Sequence, residues 1–290
     1  MSFRRLGYYR SPEQLSRMED GDWVALLDQL LALKNAEAFS AICDVFSFWP
    51  AGHERSRQLD LSLQRMEGWD DRLRTTSSAY MGLYEGGRLS DVARLARSIE
   101  IYRREDRGSS ELLAIATSEY VSELVNLSIV ASELSGFAWK ALAESRNLHS
   151  LRRLVLQSST LGQGDIRELL QSKGLPGLQI LELIAMDLGA QELSPVRSEI
   201  PFPKLEGIDF SHNVLGTEGV MLLADAPWLV HVRWLAIRDN FISRAGIEAL
   251  IQSPFARELA TIDVRDNNIS VEDKGILNAL AQRKRIELMV

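Results

Sequence analysis

Leu205-Glu206-Gly207-Ile208-Asp209-Phe210-Ser211-His212-Asn213-Val214-Leu215 carries apolar side chains at its first, fourth, sixth and eleventh positions and an asparagine at its ninth. Twenty-seven residues on, Val232-Arg233-Trp234-Leu235-Ala236-Ile237-Arg238-Asp239-Asn240-Phe241-Ile242 repeats the arrangement. Working outward at that spacing gives six registers, opening at Leu124, Leu151, Leu178, Leu205, Val232 and Leu259. Their fourth positions are Leu127, Leu154, Leu181, Ile208, Leu235 and Ile262, and their sixth are Ile129, Leu156, Leu183, Phe210, Ile237 and Val264. A phase held this strictly marks a stacked repeat.

Within a register the alternation predicts a short strand whose fourth and sixth side chains share one face. Glycine-containing turns follow at Leu161-Gly162, Leu188-Gly189 and Leu215-Gly216, then helices such as 219–224, 246–252 and 274–281. One strand and one helix per 27 residues cannot bury their apolar faces alone. Stacked neighbours can, with a parallel sheet lining the inner curve and helices outside.

The run Leu205-x-x-Ile208-x-Phe210-x-x-Asn213-x-Leu215-Gly216-x-x-Gly219, with its counterpart from Val232 to Gly246, resembles the ribonuclease-inhibitor-like class of leucine-rich repeat. The resemblance covers residues 96–290. It implies an α/β fold: a right-handed leucine-rich repeat solenoid, or horseshoe, with the parallel sheet on the concave face. It also implies protein binding, since that class includes inhibitors of ribonucleases and activators of small GTPases. No such resemblance marks residues 1–95.

The pattern has departures. The ninth-position asparagine occurs at Asn213, Asn240 and Asn267, whereas earlier registers have Ser132, Ser159 and Met186. Its amide satisfies backbone groups of the turn, so an irregular turn is expected at Met186. Pro195, Pro201 and Pro203 predict a truncated helix in the third repeat. A degenerate repeat precedes the six, with Ile99 and Ile101 as inward strand positions and a helix over 109–118. A small residue stands six places before five of the register starts, at Ser118, Ser145, Ser172, Ala226 and Ser253.

Residues 1–95 read as an all-α N-terminal domain. Ser11 and Pro12 suit a helix start. Trp23, Leu26, Leu27, Leu30, Leu31 and Leu33 form a helical stripe, Ala36–Phe48 and 53–66 make two more helices, and Gly86-Gly87 breaks the chain before a helix capped by Ser90. Residues 96–290 form the repeat domain, closed by a strand near Ile286-Glu287-Leu288.

Composition narrows the function. The 290 residues carry a net charge of −7. Residues 1–110 hold 16 Lys/Arg against 17 Asp/Glu, and the remainder 17 against 23. The acidity lies in the repeats and disfavours nucleic acid. One cysteine, Cys43, and four scattered histidines argue against disulfides or a metal cluster. No run is long and apolar enough to span a membrane, and no signal-peptide core follows the basic N-terminus, so a cytoplasmic address is expected.

The outward positions of each strand are the third, fifth and seventh, with the eighth at the rim. The first three repeats place mainly small or apolar groups there. The last three bring Asp209, His212, Trp234, Arg238, Asp239, Asp263, Arg265 and Asp266, with Glu182 beside Asp209 as a like-charge pair that a basic partner would relieve. Trp and Arg are types enriched at interface hot spots. These nine residues are the candidate protein-binding site. The competing reading is that the charges pair with one another and Trp234 packs against its surroundings.

No P-loop, dinucleotide fingerprint, G-x-S-x-G or H-E-x-x-H is present, so no catalytic residue and no cofactor or metal is expected. The expected function is a non-catalytic protein-interaction scaffold, recognising an unknown partner with a basic surface. Alternatives are a regulator of a small GTPase, resting on fold analogy alone, and a catalytic N-terminal domain with the repeats as substrate receptor. A monomer or weak homodimer through the last strand is expected.

Overall fold

The computed structural model describes residues 12–15, 17–77, 84–85, 88–102, 108–132, 134–159, 165–194 and 202–290. Ser11, Gly86-Gly87, Leu161-Gly162, Pro195 and Pro201 lie outside them. Four helices open the chain, α1 (Pro12–Leu15), α2 (Asp20–Leu33), α3 (Ala36–Phe48) and α4 (His53–Arg65). Strands β1 (Thr75–Ser77), β2 (Tyr84–Glu85), β3 (Arg88–Leu89) and β4 (Ser98–Tyr102) follow, with a 3₁₀ helix over Asp91–Leu95 before β4.

Strands and helices then alternate: α5 (Gly108–Thr117), β5 (Asn126–Val130), α6 (Gly136–Ala143), β6 (Arg153–Gln157), α7 (Asp165–Leu170), β7 (Ile180–Ile184) and α8 (Ala190–Leu193). The series continues with β8 (Gly207–Asp209), α9 (Gly216–Ala224), β9 (Trp234–Ala236), α10 (Arg244–Gln252), β10 (Thr261–Asp263), α11 (Val271–Lys284) and β11 (Glu287–Met289). The result is a mixed α/β architecture with a nine-stranded sheet ordered β1-β4-β5-β6-β7-β8-β9-β10-β11, every pairing parallel.

Strand order follows chain order because each helix returns the chain to the side of the strand just laid down. The pairing follows the spacing read from the sequence: Leu127 opposes Leu154, Leu154 opposes Leu181, Leu181 opposes Ile208, Ile208 opposes Leu235, and Leu235 opposes Ile262. All the first-, fourth- and sixth-position residues are buried. They belong to one hydrophobic cluster running from Leu15 to Ile286. Each full burial of a Leu or Ile contributes about 1.5–3 kcal/mol.

Two expectations need correction. The sheet starts at Thr75, inside the stretch expected to be all-α, and β2 and β3 form an antiparallel pair there. Thr75-Thr76-Ser77 has no apolar alternation to announce a strand. It is held by the β4 ladder and by the Arg97 and Ser98 N–H groups, which donate to the Arg74 carbonyl at 2.9 and 3.2 Å. The turn at Met186 is not irregular. Ala185 and Asp187 have φ of 52° and 55°, close to the 49° and 58° of Asp239 and Phe241 around Asn240. Asn213 of the next turn braces it, its Oδ1 taking Met186 N–H at 2.9 Å and Leu188 N–H at 3.1 Å, as Asn267 does for the turn at Asn240. Helix α8 is short, as the prolines require.

The first helices pack an aromatic core. Trp23 and Trp49 stack with centroids 5.9 Å apart, and the Trp49 indole N–H donates to Asp20 Oδ1 at 2.8 Å. Arg55 of α4 ties this core to the sheet side. Its guanidinium forks onto Asp91 at 2.7 and 2.8 Å while Nε donates to the Phe46 carbonyl. At the far end α11 carries Lys274 and Asn278, neither of them buried, where α10 buries Ile247 and Ile251. Among the described residues no helix is long and apolar enough to cross a membrane.

Candidate functional site

Six turns at the ends of β5–β10 define the rim of the open sheet face. Ala131, Ser158, Ala185, His212, Asp239 and Asp266, each 27 residues apart, all have φ between 48° and 62°. None is glycine. His and Asp tolerate this left-handed region better than most residues, so three side chains of the candidate site are aimed by a strained backbone at regular intervals.

Asparagines brace the turns from below. Asn240 donates to the Phe210 and Arg238 carbonyls at 2.8 and 2.9 Å and accepts from Leu215 N–H at 3.2 Å. Asn267 accepts from the Asn240 and Ile242 N–H groups, both at 3.0 Å. Ser132 and Ser159 do this work with shorter side chains: Ser159 Oγ accepts from Ser132 N–H at 3.3 Å and donates to the Gln157 carbonyl at 3.1 Å, and Ser132 Oγ donates to the Val130 carbonyl at 3.1 Å. A hydroxyl ladder runs along the other side: Ser145, Ser172 and Ser253 donate to the Ala116, Ala143 and Ala224 carbonyls at 2.6, 2.6 and 2.5 Å. This accounts for the small polar residue at that position of the repeat.

The strands bring the nine candidate residues onto one connected face and rim. Trp234 stands opposite Gly207 on one side and Thr261 on the other. Its indole lies across Gly207, since a Cβ built there would meet Trp234 Nε1 at 2.1 Å and Cε2 at 2.2 Å. The ring is therefore half-buried against the neighbouring strand and is not free in solvent.

Glu182 and Asp209 are register neighbours, as expected. The like-charge contact is relieved from within, because Arg153 forks onto Glu182 at 2.9 and 3.0 Å. Arg265 likewise forks onto Asp263 at 2.8 and 2.5 Å. Burial alone would raise the Asp263 carboxyl, but the Arg265 side-chain and backbone N–H groups, with the Arg265 and Arg238 charges, hold it below its ordinary 3.8. Arg238 reaches Asp266 at 2.9 Å, and Asp263 lies 4.0 Å from its Nε. His212 Nδ1 sits 3.0 Å from Asp239 Oδ2. Asp209 accepts the Ser211 N–H at 2.8 Å and has no cation beside it among the described residues.

Sequence reasoning placed the nine residues on one surface but missed three that shape it. Arg153 is the partner of Glu182, Gly207 is the bed of the indole, and Ala236, buried between Asp209 and Asp263 in register, is the floor. A glycine one repeat before a tryptophan was the available signal for the second.

His212 and Asp239 are both about half exposed, so solvent screens their contact. Among the described residues no group of three or more His, Cys, Asp or Glu is placed to hold a metal ion. A groove of about 1390 Å³ lies elsewhere, between Phe46–Ala51 and Ser110–Tyr120, and none of the nine lines it.

No known protein family and no curated protein matches the chain. Among solved structures it is similar to a Bacteroides fragilis protein determined as a structural-genomics target, at 14% identity and a TM-score of 0.45. The match covers 68% of this chain and 66% of that one.

Proposed function

We propose that this chain is a non-catalytic interaction protein: a right-handed leucine-rich repeat solenoid of the ribonuclease-inhibitor-like class, closed at its N-terminal end by the helices α1–α4. Its concave face is the open side of the sheet, and there it recognises a protein partner with a basic surface. The observation that carries this reading is Trp234, laid across Gly207, with Asp209 and Asp263 on either side of Ala236 two positions further along the strand. An aromatic ring already seated on the sheet loses little freedom on binding, which favours tight recognition.

The ion pairs around it fix charged groups in place before any partner arrives. Double forks such as Arg153–Glu182 and Arg265–Asp263 hold guanidinium planes in one orientation. The acidic excess of residues 111–290, 23 Asp/Glu against 17 Lys/Arg, supports a basic partner, and association should weaken with salt.

The test is a pull-down from native lysate with the wild type beside a folded Trp234→Ala/Arg238→Ala/Asp209→Ala variant. A partner captured by the wild type and lost by the variant supports the reading. Partners retained equally by both would move recognition away from this face.

A further inference from the structure

We infer that the open face carries a seat for one arginine side chain of the partner, built from the Asp209 carboxylate and the outer side of the Trp234 indole, which is bedded on Gly207, with Ala236 as its floor. This rests on the interaction reading above and gives it a chemistry.

The register builds the seat. One row across the strands is Glu182, Asp209, Ala236, Asp263, and the next is Ile180, Gly207, Trp234, Thr261. In the first row a buried alanine separates two carboxylates. In the second a glycine lets the indole lie down beside Asp209. Neighbouring strands are about 4.8 Å apart, so carboxylate, ring and floor lie within the reach of a single long side chain.

The charges decide what fills it. Glu182 is engaged by Arg153, Asp263 by Arg265 and Asp266 by Arg238, while Asp239 at the rim has the His212 ring 3.0 Å away. Among the described residues Asp209 has only the Ser211 N–H. Of the nine candidate residues, Asp209 is therefore the carboxylate on the strands, away from the rim, that no cation pairs among the described residues. Arg238 is turned toward Asp266 and does not supply the missing cation. An incoming guanidinium suits the place better than an ammonium, because it is planar, stacks on indole and donates two parallel N–H groups to a carboxylate.

The test uses the full chain and the Trp234 indole N–H resonance, identified among the six tryptophans by its loss in Trp234→Phe. The probes are N-acetyl-arginine amide, N-acetyl-lysine amide and the uncharged N-acetyl-citrulline amide. The arginine probe should shift that resonance saturably, bind more tightly than lysine, and leave citrulline without effect. Asp209→Asn retains an acceptor for Ser211 N–H and should weaken the arginine response at least about threefold, as loss of an exposed ion pair with an aromatic contact does.

The seat is overturned if the resonance does not respond saturably, if citrulline matches arginine, if lysine binds as well as arginine, or if Asp209→Asn changes nothing. The two failures are distinguishable. A partner lost by the triple variant in the pull-down, with no arginine response here, removes the seat and leaves the interaction reading. A clear arginine response with every partner retained by the triple variant does the reverse.

Discussion

Gly207 is the residue whose absent side chain matters most. With an indole ring over its main chain, Gly207→Ala forces Trp234 off its bed and should cost about 1–3 kcal/mol. In a Trp234→Ala background the same change should cost almost nothing, and a double-mutant cycle from urea midpoints measures that coupling. Asn240 makes a second test. It is fully buried and serves three backbone groups, so Asn240→Ala should lower stability by about 3 kcal/mol. The loss should appear in the urea midpoint with the slope unchanged. Both residues were visible in the sequence, but only the asparagine carried a legible role. Its role comes from its place in the repeat, whereas that of Gly207 depends on which residue lies 27 positions later and on how that side chain falls.

Pairs of elements are joined by ions as well as by packing. Arg55 of α4 grips Asp91 ahead of β4, and its hydrogen bonds chiefly hold the Asp91 carboxyl below its ordinary value. Asp263 in β10 is depressed by Arg265 against its own burial. A carboxylate with a depressed folded-state pKa stabilises fully above the unfolded value, near 3.9, and loses that contribution as pH falls through the folded value. Thermal midpoints should therefore hold steady down to about pH 4 and fall below it. Asp91→Asn should lower the plateau and flatten part of the fall in a melting series from pH 2 to 7. Helix positions were mostly legible: Ala36–Phe48 has the expected bounds, and α4 and α5 lie within a residue or so of theirs. Strand β1 was not, because three polar residues acquire strand geometry only from the neighbour they pair with.

Over the whole molecule, the period fixed both the order and the register of the sheet, because one phase dictates which leucine meets which. The reach of the sheet into the first ninety-five residues, and the pairing of charges across the open face, depend on contacts between particular side chains that no period encodes. The last helix offers a prediction at this scale. Lys274 and Asn278 stand one period after the buried Ile247 and Ile251, and two after the buried Val220 and Ala224. Lys274→Ile/Asn278→Ile should expose a sticky end and raise self-association in sedimentation velocity.

The constant spacing also makes the chain divisible. Removing 205–231 would join Lys204 to Val232, slide every later strand down by one place and keep all inward residues in phase. Such an excised protein should still fold, yet Trp234 would now arrive beside Ile180, with no glycine to lie on. Architecture and recognition are thus inherited separately. The scaffold should tolerate whole segments being cut or exchanged, while the proposed arginine seat belongs to one seam between two adjoining segments and should vanish when either is swapped.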